Sequence, residues 1–201
     1  MHIKNLVGAH SNQNPFYYIE NELEISVPYY TNKIDIKIND QQSVFIRKLN
    51  NNKSDKLLFL NDRQKGMSTI MMAYCYWLCT QVPNTHVGIF THKLQCNKIL
   101  QTKVAPKDIS VVTLNTSSCI QFNNGSTINF INGANFFCNK QINYLFVDNA
   151  PNFGLQEWKS LDPCLTRYGY VGKLVVLSSG EDGKYIIPAG LQNSDVSTII
   201  Q

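Results

Sequence analysis

The stretch Lys56-Leu57-Leu58-Phe59-Leu60-Asn61-Asp62-Arg63-Gln64-Lys65-Gly66-Met67-Ser68-Thr69-Ile70-Met71-Met72-Ala73-Tyr74-Cys75-Tyr76-Trp77-Leu78-Cys79 decides how this chain folds. Residues 56–60 are a short, continuous apolar run, the pattern of a parallel strand covered on both faces. Residues 61–66 form a polar loop with a glycine, and residues 68–79 are apolar nearly all round, as in a helix buried on every side. Strand, glycine turn and buried helix make one βα unit.

A second such unit follows it. Val87-Gly88-Ile89-Phe90 reads as the next strand, with a helix over residues 94–102 behind it and a right-handed parallel crossover between. Residues 118–122 and 127–131 flank Asn123-Asn124-Gly125-Ser126, and an Asn-Gly pair accepts the positive φ of a tight hairpin turn. That hairpin is expected at the margin of the sheet. Tyr144-Leu145-Phe146-Val147 is an apolar strand ending in Asp148, and Leu174-Val175-Val176-Leu177 is another ending in Ser178-Ser179. Upstream, residues 1–14 are a polar, Asn-rich segment. Residues 16–23 predict a short lead-in helix, residues 34–38 an edge strand or extended segment, and Asn39-Asp40 a cap for a helix reaching about Leu49. No internal repeat or flexible interdomain linker stands out.

Composition narrows the class. The chain has 201 residues, 43% hydrophobic and 16% charged, which suits one domain with a substantial core. A net charge of +4 fits a nucleic-acid partner, yet the 18 Lys and Arg are scattered, and the Tyr and Phe lie mostly in apolar runs that read as core. The first residues, Met1-His2-Ile3-Lys4-Asn5, lack the apolar stretch of an export signal, so the six cysteines are expected as reduced thiols. Cys75 and Cys79 share a helix face, while Cys96, Cys119, Cys138 and Cys164 stand apart without CxxC spacing. His2, His10, His86 and His92 form no metal-binding pair. Zinc is not expected, nor is a membrane span.

In open parallel sheets ligands bind beyond the carboxyl ends of the strands, so the strand ends at Leu60, Val147 and Leu177 point to one site. A nucleoside triphosphate needs backbone N–H groups at a helix N-terminus, a cation near its β and γ phosphates, and a hydroxyl and a carboxylate for Mg²⁺. Gly66 lets the loop turn tightly, Ser68 and Thr69 start the helix, and Asp148 ends a strand as a Walker B aspartate does. The same pattern also serves as a plain packing turn, with Ser68 as a helix cap and Asp148 as a loop acid.

Read in order, residues 62–69, 87–93, 118–129 and 144–149 resemble the large terminase subunit of tailed phages. The similarity spans roughly residues 15–185 and keeps the family's order and spacing. It implies a RecA-like P-loop α/β fold, ATP and Mg²⁺ as ligands, and a DNA-packaging ATPase, in the host cytoplasm or with the virion. It further implies an adenine-reading role for Gln42 and a cis-acting arginine finger at Arg63. The phosphate loop would be Arg63, Gln64, Lys65, Gly66, Met67, Ser68 and Thr69, with Mg²⁺ held by Ser68 and Asp148, and Ser179 in the γ-phosphate-sensing motif. Portal, other terminase subunits and capsid proteins are the implied partners, with DNA a further one.

The chain departs from that pattern at several positions. Met67 stands where the family has its phosphate-binding Lys, and a thioether replaces neither the charge nor the hydrogen bonds. Asn149 stands where the catalytic Glu would polarise water, and losing such a base typically removes a factor of about 10²–10⁴ in rate. The continuation after Ser178-Ser179-Gly180 is Glu181-Asp182-Gly183 in place of Pro-Asn-Gly. The resulting expectation is a degenerate ATPase domain acting as a binding module. Its rivals are an active ATPase in which Lys65 supplies the cation, and a virion or scaffold protein without nucleotide chemistry. Residues 186–201 are expected to form a short tail whose apolar ends could dock on the domain or on a partner, with fraying the default, and neither a nuclease domain nor DNA cleavage is expected.

Overall fold

The computed structural model describes residues 14–26, 33–51, 53–91, 94–132, 142–149, 172–180 and 197–200, excluding the side chains of 94–97, 132 and 197–200. The elements in chain order are α1 (Pro15–Asn21), β1 (Leu23–Ser26), β2 (Lys33–Asp35), α2 (Asp40–Asn51), β3 (Lys56–Asp62), α3 (Met67–Gln81), β4 (His86–Thr91) and α4 (Leu94–Lys103). They continue with β5 (Val104–Pro106), a 3-10 turn (Ile109–Val111), β6 (Val112–Asn115), β7 (Cys119–Phe122), β8 (Thr127–Asn132), β9 (Tyr144–Val147), β10 (Lys173–Gly180) and β11 (Ser197–Ile200).

The main sheet has eight strands in the order β11-β3-β10-β9-β4-β8-β7-β6. Every pairing from β11 through β8 is parallel, and only β7 runs against its neighbours. The four residues of β9 are all buried, as are Leu57–Asn61 of β3 and Leu174–Ser178 of β10, which is why these strands read as unbroken apolar runs. The Asn-Gly hairpin lies toward one margin as expected, with β6 forming the edge beyond it.

Helix α3 is apolar all round because it is enclosed: twelve of its fifteen residues are buried, among them Tyr74, Trp77 and Cys79. It packs against α1, α2, α4 and the strands β4, β5 and β8. Tyr74 keeps its hydroxyl satisfied in this core by donating to Asn50 Oδ1 at 2.7 Å, and Phe45 of α2 meets Phe59 of β3 edge-on at 4.7 Å. Cys75 and Cys79 are buried free thiols, and desolvation pushes both well above the ordinary thiol range. Cys119 is also free, whereas Cys138, Cys164, His2, His10, His92 and the side chain of Cys96 fall outside the described residues. No helix among the described residues is long and apolar enough to cross a membrane.

The hairpin also closes the far end of α3. Gly125 adopts φ 85°, and the adjacent Asn124 donates through Nδ2 to Cys79 O (2.8 Å) and Thr80 O (3.2 Å), capping the helix's last carbonyls. Ser126 Oγ donates to Val82 O at 2.9 Å from the same turn.

Three features differ from the sequence expectations. A second sheet, β2-β1-β5, is antiparallel, and its β1 begins at Leu23, which the helical pattern had absorbed into α1. Its strands are only three or four residues long, so periodicity has too little length to show. β6 is likewise short and mostly exposed. Finally, Ser197–Ile200 does not fray: it pairs in parallel with Leu57–Leu60 and covers the outer side of β3.

Phe59 is fully buried between α2 and the sheet. Phe59→Ala is expected to lower stability by about 3–5 kcal/mol in urea unfolding. A loss of under about 1 kcal/mol would show that this contact is not part of a packed core.

Candidate nucleotide-binding site

The carboxyl ends of β3, β4, β9 and β10 and the start of α3 enclose a cavity of about 560 Å³. The loop contributes Arg63, Gln64, Lys65 and Gly66, and α3 contributes Met67, Ser68 and Thr69. Asn61 and Thr91 line it from β3 and β4, Leu177 and Ser179 from β10, Asp148 and Asn149 from beyond β9, and Lys103 from the end of α4. The three strand ends read from the sequence therefore meet in one place.

Gly66 caps α3 in left-handed conformation, φ 72°, and a Cβ there would stand 2.8 Å from Gln42 Nε2. Only glycine suits both the angle and the space. Because Gly66 has no side chain, nothing caps the helix, and its first internal bond runs from Ile70 N to Gly66 O. The N–H groups of Met67, Ser68 and Thr69 thus have no intrahelical partner, and the first turn carries no acid to offset the helix dipole. This is an anion-binding end.

Ser68 Oγ donates to Asp148 Oδ1 at 2.9 Å, although 80 residues separate them in sequence. Asp148 is fixed in turn by its own N–H, which donates to Phe90 O at 3.0 Å. Desolvation raises the Asp148 carboxyl above the usual aspartate range, against the opposing effects of the Ser68 hydroxyl, the Asn149 backbone and the charge of Lys103. Asn61, 4% exposed, donates through Nδ2 to Asp62 O but leaves its buried Oδ1 without a partner. A hydroxyl, a carboxylate and an unclaimed amide oxygen are the hard-oxygen donors that suit Mg²⁺ and its water shell, so this part of the site fits the metal.

The remaining sequence-predicted residues fall into distinct settings. Arg63, Gln64 and Lys65 are exposed on the loop, Gln64 at φ 63°. Gln42 is buried beneath the loop and is not among the lining residues: its Oε1 accepts from Asn39 N (3.1 Å), and Nε2 donates to Lys65 O (3.1 Å) and Gly66 O (3.4 Å). With Asn39 Oδ1 accepting from Gln42 N at 3.0 Å, the pair makes a reciprocal cap on α2 that also props the loop. Met67 is 5% exposed and packs into the core, so its thioether gives the cavity an apolar wall where a cation was sought. Asn149 sits at φ 58°, a region Asn tolerates better than Glu. Residues 181–183 of the strand-end motif lie outside the described residues.

Lys103, Thr91 and Asn61 enter the site without any sequence-based prediction. Asn61 and Thr91 carry a faint linear signal as polar residues closing apolar strands; Lys103 carries none, because only the crossover brings it there.

A strand, glycine loop and buried helix, with an acid at the end of a parallel strand one place removed in the sheet, is the arrangement of the P-loop class of α/β folds. No protein-family model matches the chain, and no curated protein matches it. Among solved structures, the HK97 bacteriophage large terminase superposes with TM-score 0.65 at 13% identity over 83% of this chain and 37% of that one. The Thermus phage P74-26 large terminase ATPase domain gives 0.53 at 11% identity, covering 94% and 85% respectively. The large terminase of a thermophilic bacteriophage in complex with ATP-gamma-S gives 0.51 at 10% identity, covering 70% and 38%. The chain therefore has the RecA-like fold of the terminase ATPase domains and spans well under half of the full-length HK97 chain.

The raised Asp148 carboxyl has a defined effect on stability. Its folded value lies above the unfolded one near 3.8, so the native state binds the proton more tightly, and stability falls as pH rises from that value through the raised one. Asp148→Asn, which keeps an acceptor for Ser68, is expected to melt higher than wild type at neutral pH, with the gain vanishing below about pH 3.8. Equal melting at both pH values would refute the desolvated carboxylate.

Proposed function

We propose that this chain is a terminase-like packaging module that binds a nucleoside triphosphate with Mg²⁺ and hydrolyses it very slowly or not at all. The single observation carrying the binding half is the 2.9 Å contact of Ser68 Oγ with Asp148 Oδ1 at the uncapped end of α3. The N–H groups of Met67, Ser68 and Thr69 would receive phosphate oxygens, and Ser68 and Asp148 would hold the metal, with Asn61 orienting its water shell. A bound Mg²⁺ neutralises phosphate charge and would favour the ionised form of Asp148 against the desolvation that raises its carboxyl.

The silent half rests on Met67 and Asn149. Met67 offers no charge to the phosphates, and an amide at Asn149 takes no proton from water. Arg63 on the exposed loop remains a candidate finger, and Ser179 lines the wall where a γ-phosphate would lie. Such a domain would act by binding: nucleotide would set the geometry of the loop and α3, and the surface would engage phage packaging or capsid proteins, or DNA. The second reading, an active ATPase with a rewired cation, is favoured by the presence of Lys65 and Lys103 around the same cavity.

Calorimetric titration with ATP and Mg²⁺ is expected to give heat that Asp148→Ala abolishes, while phosphate release stays at background. Robust turnover lost in Lys65→Ala would replace the silent reading by the active one. Absence of heat in wild type would leave a scaffold role.

A further inference from the structure

Met67 removes the loop's own cation, yet among the described residues the cavity is not short of positive charge: Arg63, Lys65 and Lys103 line it beside one carboxylate, Asp148. Resting on the nucleotide reading above, we propose that Lys103 supplies the phosphate-binding ammonium the loop lacks, so that the triphosphate is gripped from two elements, the N-terminus of α3 and the C-terminus of α4.

The backbone around Lys103 is anchored. Leu100, one turn earlier, is 4% exposed, and Val104, the next residue, is fully buried and pairs with Ile25 in the second sheet. Lys103 itself is half-buried as the last residue of α4, where a helix end favours a cation. Among the described residues no hydrogen bond or ion pair holds its ammonium. It lines the same cavity as Ser68 and Asp148, where the metal and the β and γ phosphates would lie.

Lys65 is the weaker candidate. It stands exposed on the loop, and its carbonyl is tied down by Gln42 Nε2 at 3.1 Å, so bringing its ammonium over Gly66 would require the loop to rearrange. A lysine also suits the relocated task, since a flexible stem can deliver a point charge across a cavity to phosphate oxygens.

The test is calorimetric titration of the whole chain, with Mg²⁺ present, using ATP, ADP and AMP as probes. Lys103→Gln is expected to weaken ATP binding about tenfold to a hundredfold, ADP less, and AMP least, because AMP lacks the distal phosphates. Lys103→Arg should retain most of the affinity, and Lys98→Gln, at an exposed position of the same helix that does not line the cavity, should change it by less than about threefold. If Lys103→Gln melts lower than wild type without ligand, Lys103→Met, which keeps an apolar stem, takes its place. ATP binding unchanged in the neutral variants, or an equal loss for AMP and ATP, overturns the role of Lys103 while leaving the nucleotide site standing. Wild type that binds none of the three nucleotides overturns both.

Discussion

The open amino end of α3 is the constraint on which the other features depend. A helix buried along its whole length must satisfy its terminal backbone groups, since orphaned polar groups inside a protein are costly. The two ends of α3 meet this requirement differently. The carboxyl end is sealed by Asn124 of the hairpin turn, whereas the amino end faces a cavity with Gly66 as its side-chain-free cap. The strand order puts Asp148 opposite that open end, and the Ser68–Asp148 hydrogen bond holds the two walls together.

The loop between β3 and α3 is held from below as well as by its own turn. Gln42 and Asn39 cap α2 and, through Gln42 Nε2, fasten the carbonyls of Lys65 and Gly66. With those carbonyls turned toward α2, the N–H groups at the helix start are left for the cavity. The same bonds occupy the Gln42 amide and make it a support for the loop.

Much of this architecture could be read from the chain. Strands β3, β9 and β10 announced themselves as apolar runs because both their faces are covered, and the hairpin did so through Asn124-Gly125. Gly66, Ser68 and Asp148 were found because strand ends and helix starts carry chemistry in such sheets. What escaped were features fixed by contacts between distant segments: strands β1 and β5 and their pairing with the edge strand expected near residues 34–38, the burial of the Met67 side chain, and the arrival of Lys103 at the cavity that Asp148 lines. The setting of Asn149 was also hidden, since a left-handed backbone leaves no mark beyond the residue's tolerance for it.

The pairing of Ser197–Ile200 with β3 bears on where this domain can be cut. β3 feeds directly into the phosphate loop, and with β11 in place it has a partner on each side. A chain trimmed before Ser197 would turn β3 into a bare sheet margin, its unpaired amides and carbonyls available to any other extended segment, including another copy. Expression boundaries drawn at the end of β10 would thus invite self-association, and those drawn beyond Ile200 would keep the strand that carries the loop enclosed.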